Sequence, residues 1–329
     1  MDWKLSLAGL LIGILVGATG MGGGSLMTPL LVLLFGFKPS VAIGTDILHG
    51  AVFKTVGAIR HRRLGTVHAR LSGWMFLASA PMSLAGVALA TWLKHHYGDS
   101  TESVGAKVLG AALIIGGAGL LAKSFIRYQE KTNAPFLLTN RDRLAAVTIG
   151  FFGGLIVGLT SVGTGVFFGL SMLILFPLRS AKVVGTDIFH AAALLWVAGL
   201  GHLAAGNVDL GATGWLLLGS VPGVLLGSQV TVGLPDRLLR IALGLVLLFS
   251  GLKLLDVPRD EVVIPVGLGG LAIVALYALL SRRTSLLGPF RREERLTRGR
   301  GESTGGLEGD GHDRSLRNGK GQRDDPRGA

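Results

Sequence analysis

The sequence predicts an all-α polytopic membrane protein with about 8–11 membrane segments. Its 329 residues are 49% hydrophobic and only 16% charged, and the mean hydropathy is +0.56. An ordinary soluble domain carries about 25% charged residues, so a soluble protein of this composition could not cover its surface. Five apolar runs approach the roughly 20 residues that span a bilayer; they are 74–93, 104–121, 215–232, 238–255 and 262–280. The short alternating segments of a membrane β-barrel are absent from the sequence.

The chain also repeats itself. VAIGTDILHGAV at 41–52 matches KVVGTDIFHAAA at 182–193, and one offset of 141 residues relates the two halves from about Gly13 to Leu93. Duplicated halves that enclose a site at their interface are typical of secondary transporters. The predicted organisation is a first membrane repeat at 1–123, a linker at 124–143, a second repeat at 144–255, an extra helix at 261–281 and a disordered basic tail at 282–329.

Glycine interrupts the first membrane segment of each repeat. The first break is GATGMGGGSLMTP at 17–29, and the second is GLTSVGTGVFFGL at 158–170. Broken backbone at membrane depth leaves N–H groups unpaired, which is tolerated beside protein or a polar cavity. A helix that restarts after the break directs its amides and positive dipole end into that cavity and favours an anion. The alternative is close helix packing through small residues.

Basic residues predict the orientation of the chain in the plasma (inner) membrane. The loop at 60–70 and the linker at 124–143 are expected to be cytoplasmic. If each break only interrupts one crossing, each half crosses four times and the halves are parallel. If each break separates two crossings, each half crosses five times and the second half is inverted. The charge bias favours the inverted version and a cytoplasmic tail, although 25–35 and 165–176 are short for crossings.

Two Asp–His pairs lie within the predicted membrane segments. Asp46 precedes His49 by three residues, and Asp187 and His190 repeat the pair. Such residues share one helix face and are costly in lipid unless they face an interior or a water path. We therefore predict a proton relay, because histidine titrates near neutral pH. The alternative places both Asp residues near the membrane surface, as charges at the N-terminal ends of their helices.

Lys54 breaks the symmetry of the halves, since Leu195 occupies its equivalent position. The lysine can attract an anion, pair with Asp46, or extend towards the cytoplasmic surface. His61 and His202 lie near predicted helix ends, where solvation at the interface is expected. The predicted substrate-binding residues come from the breaks, the two GTD motifs and the lone lysine: Gly22, Gly23, Gly24, Ser25, Thr45, Lys54, Gly163, Thr164, Gly165 and Thr186.

The combination of motifs resembles the sulfite exporter TauE/SafE family of bacterial membrane permeases. The resemblance rests on the glycine-rich break, the GTD motif, GAIRHRRLGTV at 57–67 and GLGHLAAGNVD at 199–209, and it covers roughly 5–255. It implies transport of sulfur-containing anions such as sulfite and organosulfonates. His68 stands in the first half where the second half has Asp209.

The sequence therefore predicts a secondary transporter for small anions, with a coupled proton as one option. The lipid bilayer and a small anion are the expected partners, homo-oligomerisation stays open, and no cofactor, metal or nucleic acid is expected. The chain has no cysteine, which excludes disulfides and thiol catalysis, and no Gly-x-x-x-x-Gly-Lys-Ser/Thr phosphate loop. The alternatives are a non-transporting subunit of another complex and an intramembrane enzyme, for which the Asp–His pairs are the only candidate groups.

Overall fold

The structure is a computed structural model that describes residues 2–19, 24–97, 99–125, 136–230 and 236–255. These residues belong to one compact unit, Met1–Leu276. Several predicted features lie outside the described residues: Gly22, Gly23, the middle of the linker, the extra helix at 261–281 and the tail at 282–329.

The described part of the chain forms ten α-helices and no strand, which confirms the all-α fold class. The helices are α1 (Asp2–Thr19), α2 (Gly24–Phe35), α3 (Pro39–Arg63), α4 (Ala69–Tyr97), α5 (Asp99–Phe125), α6 (Asn140–Thr160), α7 (Phe167–Leu175), α8 (Ser180–Ala204), α9 (Leu210–Val230) and α10 (Asp236–Leu254). Five of these helices precede the linker and five follow it.

The helices have the length and surface of a membrane-integral protein. Four apolar stretches are long enough to cross a bilayer, namely Ala69–His96, Glu102–Ala122, Asn140–Thr160 and Ser180–Ala204. Shorter apolar stretches lie in α1, α2, α9 and α10. Large side chains such as Leu77, Ile115 and Leu218 are exposed on these helices. An apolar outer face of this kind is expected where lipid replaces water as the solvent.

Both glycine breaks end a helix. α1 ends at Thr19 and α2 begins at Gly24, while α6 ends at Thr160 and α7 begins at Phe167. In the second break the backbone is left-handed at Ser161 (φ 63°), and φ is also positive at Gly163 (139°) and Gly165 (92°). A helix cannot continue through these conformations. The helices that follow the breaks have only 12 and 9 residues, as short as the sequence suggested.

The halves pack through crossed helix pairs. α1 lies against α9, and α6 lies against α4. Glycines allow the close approach: a Cβ added at Gly154 on α6 would lie 2.6 Å from Ser79 Cα, and one at Gly13 on α1 would lie 2.9 Å from Ser220 Cα. Gly13 is the first-half equivalent of Gly154, and Ser220 is the second-half equivalent of Ser79, each at the offset of 141 residues.

The equivalent helices α3 and α8 run antiparallel to each other. Gly44 near the start of α3 faces His202 near the end of α8, and Gly57 faces Ile188. α5 and α10 are antiparallel in the same way. Equivalent helices that cross a membrane in opposite directions belong to inverted halves. The geometry therefore supports the five-helix, inverted version of the topology.

Candidate functional site

Asp46 on α3 is the centre of a buried polar cluster. Its side chain is only 1% exposed. Thr28 Oγ1 from α2 donates a hydrogen bond to Asp46 Oδ2, and Ser161 Oγ from the second break donates to the same oxygen at 2.7 Å. We call Asp46, Thr28 and Ser161 the Asp46 cluster. Its burial argues against the interpretation of Asp46 as a solvated charge at the membrane surface.

Lys54 points into the second half of the molecule. It lies two turns after Asp46 on α3 and is 3% exposed. Its Nζ donates a hydrogen bond to Thr164 Oγ1 in the second break, at 2.7 Å, and its charge interacts with Asp187 and Asp46. The interpretation in which Lys54 extends to the cytoplasmic surface is therefore wrong. The two interpretations that remain, anion attraction and pairing with carboxylates, both need a buried ammonium.

Asp187 on α8 lies against the amide of the second break. Gly165 N donates a hydrogen bond to Asp187 Oδ1 at 3.3 Å, and the carboxylate is 6% exposed. An amide that was predicted to bind substrate thus binds an anionic group of the chain itself. This contact supports the expectation that the break favours negative charge.

The two histidines of the predicted relay face the opposite half. His49 Nε2 pairs with Ser220 Oγ at 2.8 Å, and His190 Nε2 pairs with Ser79 Oγ at 3.0 Å. The two contacts are equivalent, because His190 corresponds to His49 and Ser79 corresponds to Ser220 at the offset of 141 residues. Neither histidine forms a direct hydrogen bond to the Asp of its own helix in the described part of the chain. The relay stays a prediction, and a proton would need another group between Asp and His.

The GTD threonines join each half to a loop of the other. Thr45 Oγ1 accepts a hydrogen bond from the backbone N–H of Asp209 at 3.0 Å, and Thr186 Oγ1 accepts one from His68 N at 2.9 Å. Both threonines are fully buried. Their contacts fix the loops that precede α9 and α4, and their predicted role in substrate binding stays a prediction.

The remaining predicted positions lie in the first break and near the ends of α3 and α8. Gly24 and Ser25 begin α2, while Gly22 and Gly23 lie outside the described residues. His202 is buried and its Nε2 contacts Gly158 O at 2.9 Å, so the expectation of a solvated side chain is wrong. His61 is half-buried, and its Nδ1 contacts Thr66 Oγ1 at 2.9 Å. Over the described ranges, no group of three or more His, Asp or Glu residues could hold a metal ion.

Comparison with known proteins identifies the family. The model of the sulfite exporter TauE/SafE family matches residues 5–254, which include all of the described helices apart from the first residues of α1. The chain belongs to the TauE/SafE family. It is 35% identical over 256 residues to "Probable membrane transporter protein YjnA" of Bacillus subtilis (strain 168), which covers 78% of this chain and 100% of the relative.

A second relative supports the same assignment. The chain is 27% identical over 248 residues to "Probable membrane transporter protein YdhB" of Bacillus subtilis (strain 168), covering 74% of this chain and 96% of the relative. No solved structure matches the chain significantly. As a TauE/SafE member with four bilayer-length apolar helices, the protein is membrane-integral.

This TauE/SafE member uses different residues to cap two equivalent helices. Asp209 Oδ1 accepts a hydrogen bond from Ala212 N at 2.9 Å at the start of α9. At the start of α4, His68 Nδ1 accepts one from Leu71 N at 3.2 Å, and His68 Nε2 contacts Phe136 O at 3.1 Å. Because a carbonyl can only accept, Nε2 carries the hydrogen. These caps were not predicted, although each residue lies shortly before one of the apolar runs at 74–93 and 215–232.

Replacement of His68 tests this capping role. We expect His68→Ala to lower the free energy of unfolding by about 1 kcal/mol, because Ala supplies no cap. His68→Asp should retain most of that stability, since Asp209 performs the same role in the other half. Thermal melting of the purified variants measures both effects, and an equal melting temperature for His68→Ala and wild type would contradict the assignment.

Gly163 has a backbone conformation in the second break that favours glycine. Its φ of 139° is unfavourable for any residue with a side chain, and an added Cβ would lie 3.1 Å from Val157 Cγ2. We expect Gly163→Val to destabilise the fold by about 1–3 kcal/mol and to impair transport. Gly206→Val is a matched control with φ of 69° but open space around the Cβ. Wild-type transport by Gly163→Val would exclude the turn from the substrate path.

Proposed function

We propose that this protein is a secondary transporter for small anions, with sulfite, sulfonates and related sulfur-containing anions as the substrate class. The observation that carries the proposal is the position of Lys54. Its ammonium is buried, is held by Thr164 at the second glycine break, and lies near the carboxylate of Asp187. A buried cation beside an interrupted helix is a suitable binding place for an oxyanion.

Asp187 has two roles in the proposed mechanism. In the described state its carboxylate accepts the Gly165 N–H and balances part of the charge of Lys54. An incoming oxyanion competes for the same donors, the Gly165 amide and the Lys54 ammonium. Displacement of Asp187 then releases α8 from the second break. Substrate binding is thereby coupled to a change in the contact between α7 and α8.

The inverted halves supply the means of exposing the site to each side in turn. α3 and α8 are antiparallel, and each half fixes a loop of the other through a GTD threonine. In transporters of this type, rocking of one repeat against the other opens a central site alternately to either side. We further propose the plasma (inner) membrane as the location, with 60–70, 124–143 and the C-terminal tail on the cytoplasmic side. In this proposal the chain binds and releases its anion without catalysing a reaction.

Flux through reconstituted protein tests the proposal. Purified protein in liposomes should move radiolabelled sulfite or a small sulfonate under an imposed pH or sodium gradient, and much less chloride. If no anion moves under any gradient, transport is contradicted and the role of a non-transporting subunit is favoured.

Asp187→Asn examines the proposed competition. An asparagine cannot balance Lys54, and we expect flux to fall by about tenfold or more, since a lost buried charge contact is worth about 2 kcal/mol or more. Asp209→Asn is the matched control, because it makes the same chemical change at an exposed helix cap where asparagine is well tolerated. Equal flux in both variants would exclude Asp187 from the transport path.

A further inference from the structure

We infer that the Asp46 cluster is a binding site for a monovalent cation, and specifically for Na⁺. The inference deepens the proposed function, on which it rests only for the role of the cation as the coupling ion. Three oxygen-bearing side chains converge here from α2, α3 and the second break. They come from both halves of the chain, so the cluster forms only when the halves are assembled.

The first observation is an unpartnered carboxylate oxygen. Asp46 Oδ2 accepts two hydrogen bonds, but the described residues offer no hydrogen-bond partner to Asp46 Oδ1, which is fully buried. A buried carboxylate oxygen without a partner is strongly unfavourable. A small cation bound to Oδ1 would supply the missing partner, whereas a proton on Oδ1 would in turn need an acceptor for its O–H.

The two hydroxyl groups of the cluster are suitable further ligands. Thr28 and Ser161 each use their hydrogen to donate to Oδ2, so the lone pairs of both hydroxyl oxygens remain available to a cation. Carboxylate and hydroxyl oxygens are hard ligands, which suit Na⁺. Oxygens that hydrogen-bond to one another lie close together, and the small Na⁺ fits such a group better than K⁺.

The second observation is the end of α6. This helix ends at Thr160, and Ser161 is its C-terminal cap. The C-terminal end of a helix carries partial negative charge and favours a cation. Interrupted helices of secondary transporters bind Na⁺ at such ends and anions at the N-terminal end of the next half-helix. Here Ser161 contacts Asp46, and Thr164, three residues later, contacts Lys54.

The charge balance of the buried groups points the same way. The charge of Lys54 interacts with Asp46, but its ammonium donates its hydrogen bond to Thr164 and not to the Asp46 carboxylate. A buried carboxylate without a cation in direct contact is unfavourable away from water. A bound Na⁺ supplies positive charge directly at Asp46. A substrate anion adds further negative charge, so its binding is expected to strengthen cation binding. Cation binding is expected to strengthen anion binding by the same factor.

Thermal melting of the purified full-length protein in detergent tests the site directly. NaCl, KCl and choline chloride are compared at constant ionic strength. We expect a saturable rise in melting temperature with NaCl alone. Asp46→Asn should remove this rise, and Ser161→Ala should raise the half-saturating NaCl concentration at least about tenfold, as loss of one ligand predicts. Asp209→Asn should respond to NaCl like wild type.

Several outcomes would overturn the inference. These are equal melting temperatures in the three salts, or a sodium response that persists in Asp46→Asn. If Asp46→Asn does not fold, an unchanged half-saturating concentration in Ser161→Ala has the same meaning. In liposomes, anion flux that is equal in sodium and choline media would exclude Na⁺ as the coupling ion while the proposed transport stands. A sodium-specific melting response without any anion flux would leave the cation site in place and contradict the proposed transport.

Discussion

Replacement of Lys54 by leucine is expected to reduce anion flux roughly 30-fold or more. Leucine is the residue at the equivalent position of the second half, Leu195, so the change makes the halves alike at this point. If Lys54 binds the substrate anion directly, truncating it removes one partner of a buried charge pair, which costs about 2–5 kcal/mol, and about 1.4 kcal/mol corresponds to a factor of ten. Initial rates of sulfite or sulfonate uptake in liposomes measure the effect.

The same substitution should also destabilise the protein, which has to be separated from its effect on transport. Without Lys54, the carboxylates of Asp46 and Asp187 stay buried and lose its favourable charge interaction, and leaving a buried charge uncompensated costs up to about 3–5 kcal/mol. The double variant Lys54→Leu/Asp187→Asn removes one charge of each sign. We expect it to recover most of the melting temperature without recovering flux.

Two results would contradict this role of Lys54. Wild-type flux in Lys54→Leu would show that the ammonium does not act on the substrate. Recovered flux in the double variant would show that Lys54 serves only to stabilise the carboxylates. Lys54→Arg keeps the charge in a larger group, and it should retain more flux than Lys54→Leu does.

Replacement of Gly154 by valine is expected to be strongly damaging at the interface of the halves. A Cβ at this position of α6 would overlap the backbone of Ser79 on α4, which cannot move aside as a flexible side chain can. The helices must then separate along their length. We expect a loss of about 3 kcal/mol or more, the upper range for overpacking, seen as a fall in melting temperature of roughly 6 °C or more.

Gly73→Val is the matched control for that variant. Gly73 lies on α4, and no atom lies within 4 Å of a Cβ added there. The same gain in volume should therefore change the melting temperature little. Equal losses at Gly73 and Gly154 would mean that valine acts through helix propensity and not through the approach of α6 to α4.

The sequence predicted the fold well because hydropathy and glycine placement act locally. Long apolar runs determine which segments become helices in lipid, and the breaks at Gly17–Pro29 and at 158–170 contain residues that end helices. The contacts between the halves were not predicted. The pairing of His49 with Ser220 depends on how α3 and α9 are rotated about their axes, which a sequence pattern does not specify.

The candidate site could be predicted only in part. Asp46, Asp187 and Lys54 were recognised as unusual charges, but three interpretations of Lys54 remained until its burial and its contact with Thr164 were known. A usable signal did exist in the repeat. Ser161 replaces Gly20, and Lys54 replaces Leu195, so two of the polar contacts of the second break, Ser161 with Asp46 and Thr164 with Lys54, involve a position at which the halves differ. The differences between the halves are therefore more informative about the site than their similarities.

The crossed packing of the helices has a consequence for how the protein is made. α1 lies against α9, and Ser6 Oγ donates to Trp215 O, a residue 209 positions later. At a synthesis rate of about 5–20 residues per second, roughly 10–40 s pass before the ribosome has added that partner. During this interval α1 lacks its main packing partner. Neither half can complete its packing before the other is translated, so assembly waits for the last helices of the second half.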